Sequence, residues 1–190
     1  MRPRRVLVAA CAGAVLLAGC SSSSGGRTAT STSPTSAAPA PASGSSAGAT
    51  TSTTLFAAGP VPAVGGAADL SKEPTVSAGT GTPPAKLTGR DLVVGKGAVA
   101  GPNSTVKVQY VGALYSTGKV FDASWTDSGP ATFPLSGVIP GFKDAIIGMH
   151  VGGRREIVIP PAQGYGAAGQ PPVIPPNATL VFVIDLLSVS

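Results

Sequence analysis

The sequence predicts an α+β domain in which a curved antiparallel β-sheet wraps around one short α-helix. Val106, Val108 and Tyr110 alternate with Lys107 and Gln109, the period-two pattern of a half-buried strand. Near the other end of the chain, Leu180, Phe182, Ile184 and Leu186 share one face of a second such segment. Only one stretch, opened by Pro140, places apolar residues at helical spacing: Phe142, Ile146 and Met149. Several strands with one helix to cover them must curl around that helix to bury their apolar side.

The chain divides into three regions, 1–19, 20–69 and 70–190. Arg2, Arg4 and Arg5 precede a mostly apolar stretch over 6–18, which has the length of a secretory signal and is too short to span a bilayer. The run Leu17, Ala18, Gly19, Cys20 that closes it resembles the lipobox of bacterial lipoproteins. That resemblance implies cleavage before Cys20 and a diacylglycerol on its thiol, holding the protein on the extracytoplasmic face of the cell membrane. Two acyl chains, at about 0.8 kcal/mol per buried CH₂, anchor where one would exchange. The 13 Lys and Arg against 8 Asp and Glu overstate the mature charge, because three of the arginines belong to the signal. Ten positives then face eight negatives, and apart from Arg154 and Arg155 they are scattered, which argues against a nucleic-acid partner. Cys11 leaves with the signal and Cys20 takes lipid, so no disulfide, thiol nucleophile or thiolate metal site is expected.

From 21 to 68 the chain is Ser, Thr, Ala, Pro and Gly, with Arg27 the only charge and Phe56 the only aromatic. So little apolar area cannot offset the entropy of ordering, and the region reads as a disordered tether. At about 50 residues it spans roughly 40 Å. Order should begin near Leu70 to Val76 and be firm from Lys86 onward, leaving one domain of ordinary size.

Within that domain the first strand is expected over 106–115. Ser116, Thr117, Gly118 and Lys119 form the turn, and 120–125 is the returning strand of a hairpin. A short strand follows over 131–135. The helix starts at Pro140, with Asp144 placed in its first turn, and ends near Gly148. The last strands are 155–159 and 179–189.

The usual catalytic devices are largely missing. His150 is the only histidine, so no Ser-His-Asp set can be assembled. The segment Gly164-Tyr165-Gly166-Ala167-Ala168-Gly169 fits the dinucleotide pattern, but Gln170-Pro171-Pro172 forbids the helix that pattern needs. Asn103-Ser104-Thr105 and Asn177-Ala178-Thr179 match the glycosylation pattern, which carries little weight in a bacterial lipoprotein. Neither cofactor nor metal is expected.

What remains is a set of aromatic and branched residues beside Gly and Pro turns. The segments Val108-Gln109-Tyr110-Val111-Gly112, Gly118-Lys119-Val120-Phe121-Asp122-Ala123-Ser124, Val138-Ile139-Pro140-Gly141-Phe142, Gly148-Met149-His150-Val151-Gly152, Tyr165-Gly166 and 174–182 closely resemble FKBP-type peptidyl-prolyl isomerases, in order, across about 87–189. The resemblance implies an apolar pocket between helix and sheet. It places Phe142 at the floor, where many relatives have Trp, and Tyr110, Phe121, Val138, Ile139, Val173, Ile174 and Phe182 in the walls. Asp122 and Tyr165 would be polar rim groups, and the Ile139 N–H a donor to a bound carbonyl. Phe133 and Leu135 are assigned to the core. The chain departs from the family at Ala131 and Asp127, where a second aromatic and an arginine are frequent, and at Gln170, where histidine is common. The loop before Val138 is about two residues short.

Such a pocket implies catalysis without a covalent step. Rotation about the peptide bond costs roughly 18–20 kcal/mol because resonance must be broken, and a dry apolar site disfavours the planar amide relative to the less polar twisted one. The expected partners are unfolded exported polypeptides with X-Pro bonds, macrolides, and the membrane through the lipid, with a monomeric protein. A second reading keeps the pocket as a chaperone or ligand-binding module without catalysis.

Overall fold

The computed structural model of the chain describes residues 56–57, 59–126 and 129–190. Cys20, the signal segment, most of the tether and Asp127 lie outside them. The strands are β1 (Val64–Gly65), β2 (Thr75–Val76), β3 (Thr88–Val93), β4 (Thr105–Leu114), β5 (Val120–Ala123), β6 (Ala131–Pro134), β7 (Arg154–Ile159) and β8 (Leu180–Val189), and the helix is α1 (Pro140–Ile146). Six strands form one antiparallel sheet in the order β3-β7-β8-β4-β5, with β6 also on β4. β5 and β6 share one edge of β4: Val111 faces Ala123 on β5, and Val108 faces Ala131 on β6.

The inner face of the sheet follows the alternation read from the sequence. Val106, Val108, Tyr110 and Leu114 of β4 join Ile157 and Ile159 of β7 and Leu180, Phe182, Ile184 and Leu186 of β8 in one buried cluster. Phe142, Ala145, Ile146 and Met149 close it from the helix side. Each buried Val, Leu, Ile, Phe or Met among them contributes about 1.5–3 kcal/mol by leaving water. The helix is shorter than expected: Ile147 turns to an extended ψ of 130° and Gly148 takes φ 80°, so α1 stops at Ile146. With Pro140 as its first residue, Asp144 falls beyond the first turn and is exposed, so it cannot serve the helix N-terminus as the sequence suggested.

The outer face holds what the sequence reading missed. Val181, Val183 and Asp185 are also buried, at 0%, 1% and 3% exposure, because the chain before β3 lies across them. Val61 and Val76 pack on Tyr115, Val158 and Val181, and β1 pairs with β2 through Val64 and Val76. Arg154 forks onto Asp185 at 2.5 and 2.6 Å and donates to the carbonyls of Gly66 (2.7 Å) and Lys72 (3.1 Å). Arg90 binds Glu156 at 2.8 Å and the Pro62 carbonyl at 3.1 Å. Phe56, assigned to the tether, is buried at 8% exposure against the core. The folded unit therefore includes residues before 70 and is wider than the 70–190 read from composition.

Glu156 lies beneath this strap with its side chain fully buried, and its Oε1 has no hydrogen-bond partner. Burial raises its carboxyl above the ordinary range, and the half-exposed Arg90 offsets only part of that. A raised folded value means that the folded state holds the proton more tightly. The resulting stabilisation is complete below the unfolded value of about 4.3 and is lost as pH rises through the folded one. Urea unfolding of wild type and Glu156→Gln at a series of pH values should show wild type losing ground to the variant as pH rises above about 4. A constant gap would contradict the assignment.

Candidate functional site

The end of α1 is pinned from behind, which fixes the residues at its start. Arg155, on the inner face of β7, bonds Asp91 of β3 at 2.6 and 3.1 Å and donates to the Ala145 carbonyl at 2.7 Å. Its guanidinium carbon lies 5.1 Å from the centroid of the Phe56 ring. Both arginines of the 154–155 pair are thus buried and matched to carboxylates. At the other end, Ile139 is extended (φ −60°, ψ 146°) and its carbonyl accepts from the N–H groups of Phe142 (3.0 Å) and Lys143 (3.1 Å). Pro140 suits the first helical position because its φ is fixed and no N–H is needed there.

Phe142, projecting from the first turn, is fully buried. Three rings meet it nearly edge to face: Phe182 at 5.3 Å and 79°, Tyr110 at 6.2 Å and 83°, Phe133 at 6.3 Å and 85°. Phe121 extends the group through Phe182 at 5.6 Å and 86°. Edge-to-face pairs contribute about 0.5–1.5 kcal/mol beyond their buried area. Gly112 makes this geometry possible. A Cβ there would sit 2.7 Å from the Phe182 ring and 2.8 Å from that of Phe121, so any side chain would wedge the two apart.

The polar groups are set by the β4 and β5 register. Gly112 faces Asp122, which puts Asp122 beside Tyr110 two residues earlier. The Tyr110 hydroxyl donates to Asp122 Oδ2 at 2.7 Å. Ser124 fixes the Tyr110 backbone, accepting from its N–H at 2.9 Å while its own N–H donates to the Tyr110 carbonyl at 3.0 Å, and its hydroxyl donates to the Gln109 amide oxygen. Tyr165 comes from the loop after β7. Burial and the charge of Asp122 push its phenol up to about 12, so it remains an O–H donor at any physiological pH. Gln170 and Ile174 bond each other's backbones at 2.8 and 2.9 Å, and Gly169 N–H donates to the Tyr165 carbonyl at 3.1 Å. This tight loop presents Val173 and Ile174 next to Tyr165, and no helix follows the glycines of 164–169.

The structure brings Tyr110, Phe121, Asp122, Val138, Ile139, Phe142, Tyr165, Val173, Ile174 and Phe182 into or against one cluster around the helix N-terminus. Val138, Ile139, Ile174 and Phe182 are buried, while Phe121, Tyr165 and Val173 are half-buried, so the group is open along the side they line. Phe133 corrects the sequence reading. It is half-buried against Tyr110 (6.1 Å) and Phe142 and belongs to the ring cluster. Its neighbour Leu135 is core at 1% exposure. The core assignment of Phe133 fits its packing against the buried cluster, and its meeting with Phe142 is what the sequence did not carry.

The family model described as FKBP-type peptidyl-prolyl cis-trans isomerase matches residues 97–187. An FK506-binding protein of Streptomyces anulatus is 45% identical over 121 residues, covering 62% of this chain and 98% of that one. The chain belongs to the FKBP-type peptidyl-prolyl cis-trans isomerases. Among solved structures, FkpA from Escherichia coli matches this isomerase with TM-score 0.53 and 44% identity over 55% of the chain, which spans 48% of FkpA. AtFKBP13 matches at TM-score 0.52 and 35% identity over 57% of the chain and 96% of its own length. As an FKBP-type isomerase the protein interconverts cis and trans X-Pro bonds, and the sheet wrapped on one helix is the fold of those structures.

Proposed function

We propose that this isomerase acts at the extracytoplasmic face of the cell membrane, anchored by lipid on Cys20, on exported polypeptides that arrive unfolded. The basic n-region, apolar stretch and Leu17, Ala18, Gly19, Cys20 sequence support the location. Uncatalysed X-Pro isomerisation takes tens to hundreds of seconds, slow enough to limit folding after export.

The observation that carries the mechanism is a fully buried Phe142 ringed by aromatic edges, with rim groups suited to hydrogen bonding. A prolyl ring seated against the half-buried Phe121, Tyr165 and Val173, with Phe142 as the floor beneath, loses water from its amide. The twisted amide, with charge withdrawn from its carbonyl oxygen, is the form this environment disfavours least. Tyr165 O–H and the Ile139 N–H orient the flanking carbonyls. Asp122 holds the Tyr110 hydroxyl, which keeps that ring edge-on to Phe142. No group acts as general acid or base. The same pocket suits a macrolide of the class for which the Streptomyces relative is named.

A protease-coupled assay with an X-Pro tetrapeptide tests the chemistry. Micromolar protein should accelerate the slow phase, and Tyr165→Ala should reduce kcat/KM by about tenfold, the loss expected for one orienting hydrogen bond. Peptide binding without acceleration would instead support the chaperone reading. Mass spectrometry of the mature N-terminus tests the anchor, and a free Cys20 thiol would remove it.

A further inference from the structure

A groove of about 620 Å³ borders the two residues that follow Tyr165. Pro83, Pro84 and Ala85, just before β3, form one wall, and Pro160, Pro161 and Ala162, just after β7, form the other. The first wall precedes residues 97–187, which the family model matches. No charged side chain lines the groove; its polar groups come from Asn177 and Thr179.

We propose that this groove is an extended-polypeptide subsite, taking the uncharged segment of a client that flanks the proline being isomerised. This rests on the isomerase reading of the aromatic cluster, and the direct chain step from Tyr165 of that cluster to Gly166 of the groove points to the occupant. The groove is lined by Gly166 and Ala167, the two residues that follow Tyr165, which puts its rim one residue along the chain from the phenol at the prolyl site. Gly166 keeps that rim clear. It has φ +61° and nothing within 4 Å of where a Cβ would be, and its carbonyl is held by the Asn177 N–H at 2.9 Å. Four proline rings make rigid, apolar walls that lose no rotamer entropy on binding. The absence of charge among the lining residues favours apolar or Pro-rich segments, since a charged side chain would be desolvated there without a partner.

The subsite predicts that turnover depends on client length. Ala85 and Ala162 are exposed and tolerate replacement without loss of core packing, so the double variant Ala85→Glu, Ala162→Glu puts two charges into the groove. On a tetrapeptide its kcat/KM should match wild type. On a twelve-residue uncharged peptide with one central proline, or on an unfolded protein limited by one X-Pro bond, it should fall about tenfold, through KM. Equal rates on the long peptide, or equal losses on both substrates, would overturn the subsite. Titration of the full chain with the twelve-residue peptide gives an independent readout that does not require turnover. NMR shifts at Ala85, Ala162 and Ala167 support the subsite, and shifts confined to residues around Phe142 and Tyr165 refute it. Failure of wild type to turn over the tetrapeptide would instead count against the isomerase reading of the cluster, so the two failures are distinguishable.

Discussion

Arg154→Met should lower the free energy of unfolding by about 3–5 kcal/mol, the cost of leaving one member of a buried ion pair uncompensated. Asp185 is 4% exposed at its side chain and takes both of its short bonds from Arg154. The same substitution removes the arginine's bonds to the carbonyls of Lys72 and of Gly66, which keeps only the Asp69 N–H, loosening the chain that covers Val158 and Val181. Against a typical total of about 5–15 kcal/mol, that is enough to change the yield of folded protein. Arg154→Met with Asp185→Leu is the informative control. Removing both charges should recover much of the loss, because a buried pair replaced by apolar groups is often near neutral. The remaining deficit then measures the two strap carbonyls. Arg154 is on the sheet face opposite Phe142, so the fraction that stays folded should isomerise a tetrapeptide at the wild-type rate. Urea unfolding followed by fluorescence reads the first effect and a coupled assay the second. A loss below about 1 kcal/mol, the range of exposed pairs, would show that the strap is not held by this arginine.

The parts of the molecule that were legible in the sequence are those where a period or a motif reports burial. The alternation over 106–110 placed Tyr110 on the inner face, and the spacing of Phe142, Ile146 and Met149 found the buried side of α1. The strap left no such trace. β1 and β2 have two residues each, too few for a period, and the segment is tied down through backbone carbonyls of Pro62, Gly66 and Lys72, which look alike whatever the side chain. Its partners, Arg90 and Arg154, are ordinary charged residues until the register sets Arg154 opposite Asp185. Double burial of β8 was hidden for the same reason. Val181 and Val183 are as apolar as their neighbours Phe182 and Ile184, and only the overlying chain explains why both faces need to be. The aromatic site was legible as a set of residues through family resemblance. Gly112, which admits Phe121 and Phe182 together, and Phe133 beside Phe142 are contacts between strands and emerged only with the fold.

The most direct test of the site is Phe142, where packing and chemistry have to be separated. Phe142→Ala would remove a fully buried ring and cost about 3–5 kcal/mol of stability, so lost activity could mean lost fold. Phe142→Leu keeps most of the volume and should cost only about 1–2 kcal/mol. It removes the buried aromatic floor of the proposed prolyl site, to which the rings of Tyr110, Phe133 and Phe182 stand nearly perpendicular. If catalysis depends on that dry aromatic surface, kcat/KM on a tetrapeptide should fall by about ten- to hundredfold, or roughly 1.4–2.7 kcal/mol of transition-state stabilisation. The drop should persist well below the unfolding midpoint, where the variant is fully folded. Division of the loss carries the mechanism. A fall confined to KM would mean that Phe142 only holds the substrate, whereas a fall in kcat means that its surface favours the twisted amide over the planar one. Asp122 and Tyr165 remain in place in this variant, so retained kcat would transfer the chemistry to them and away from the floor of the pocket.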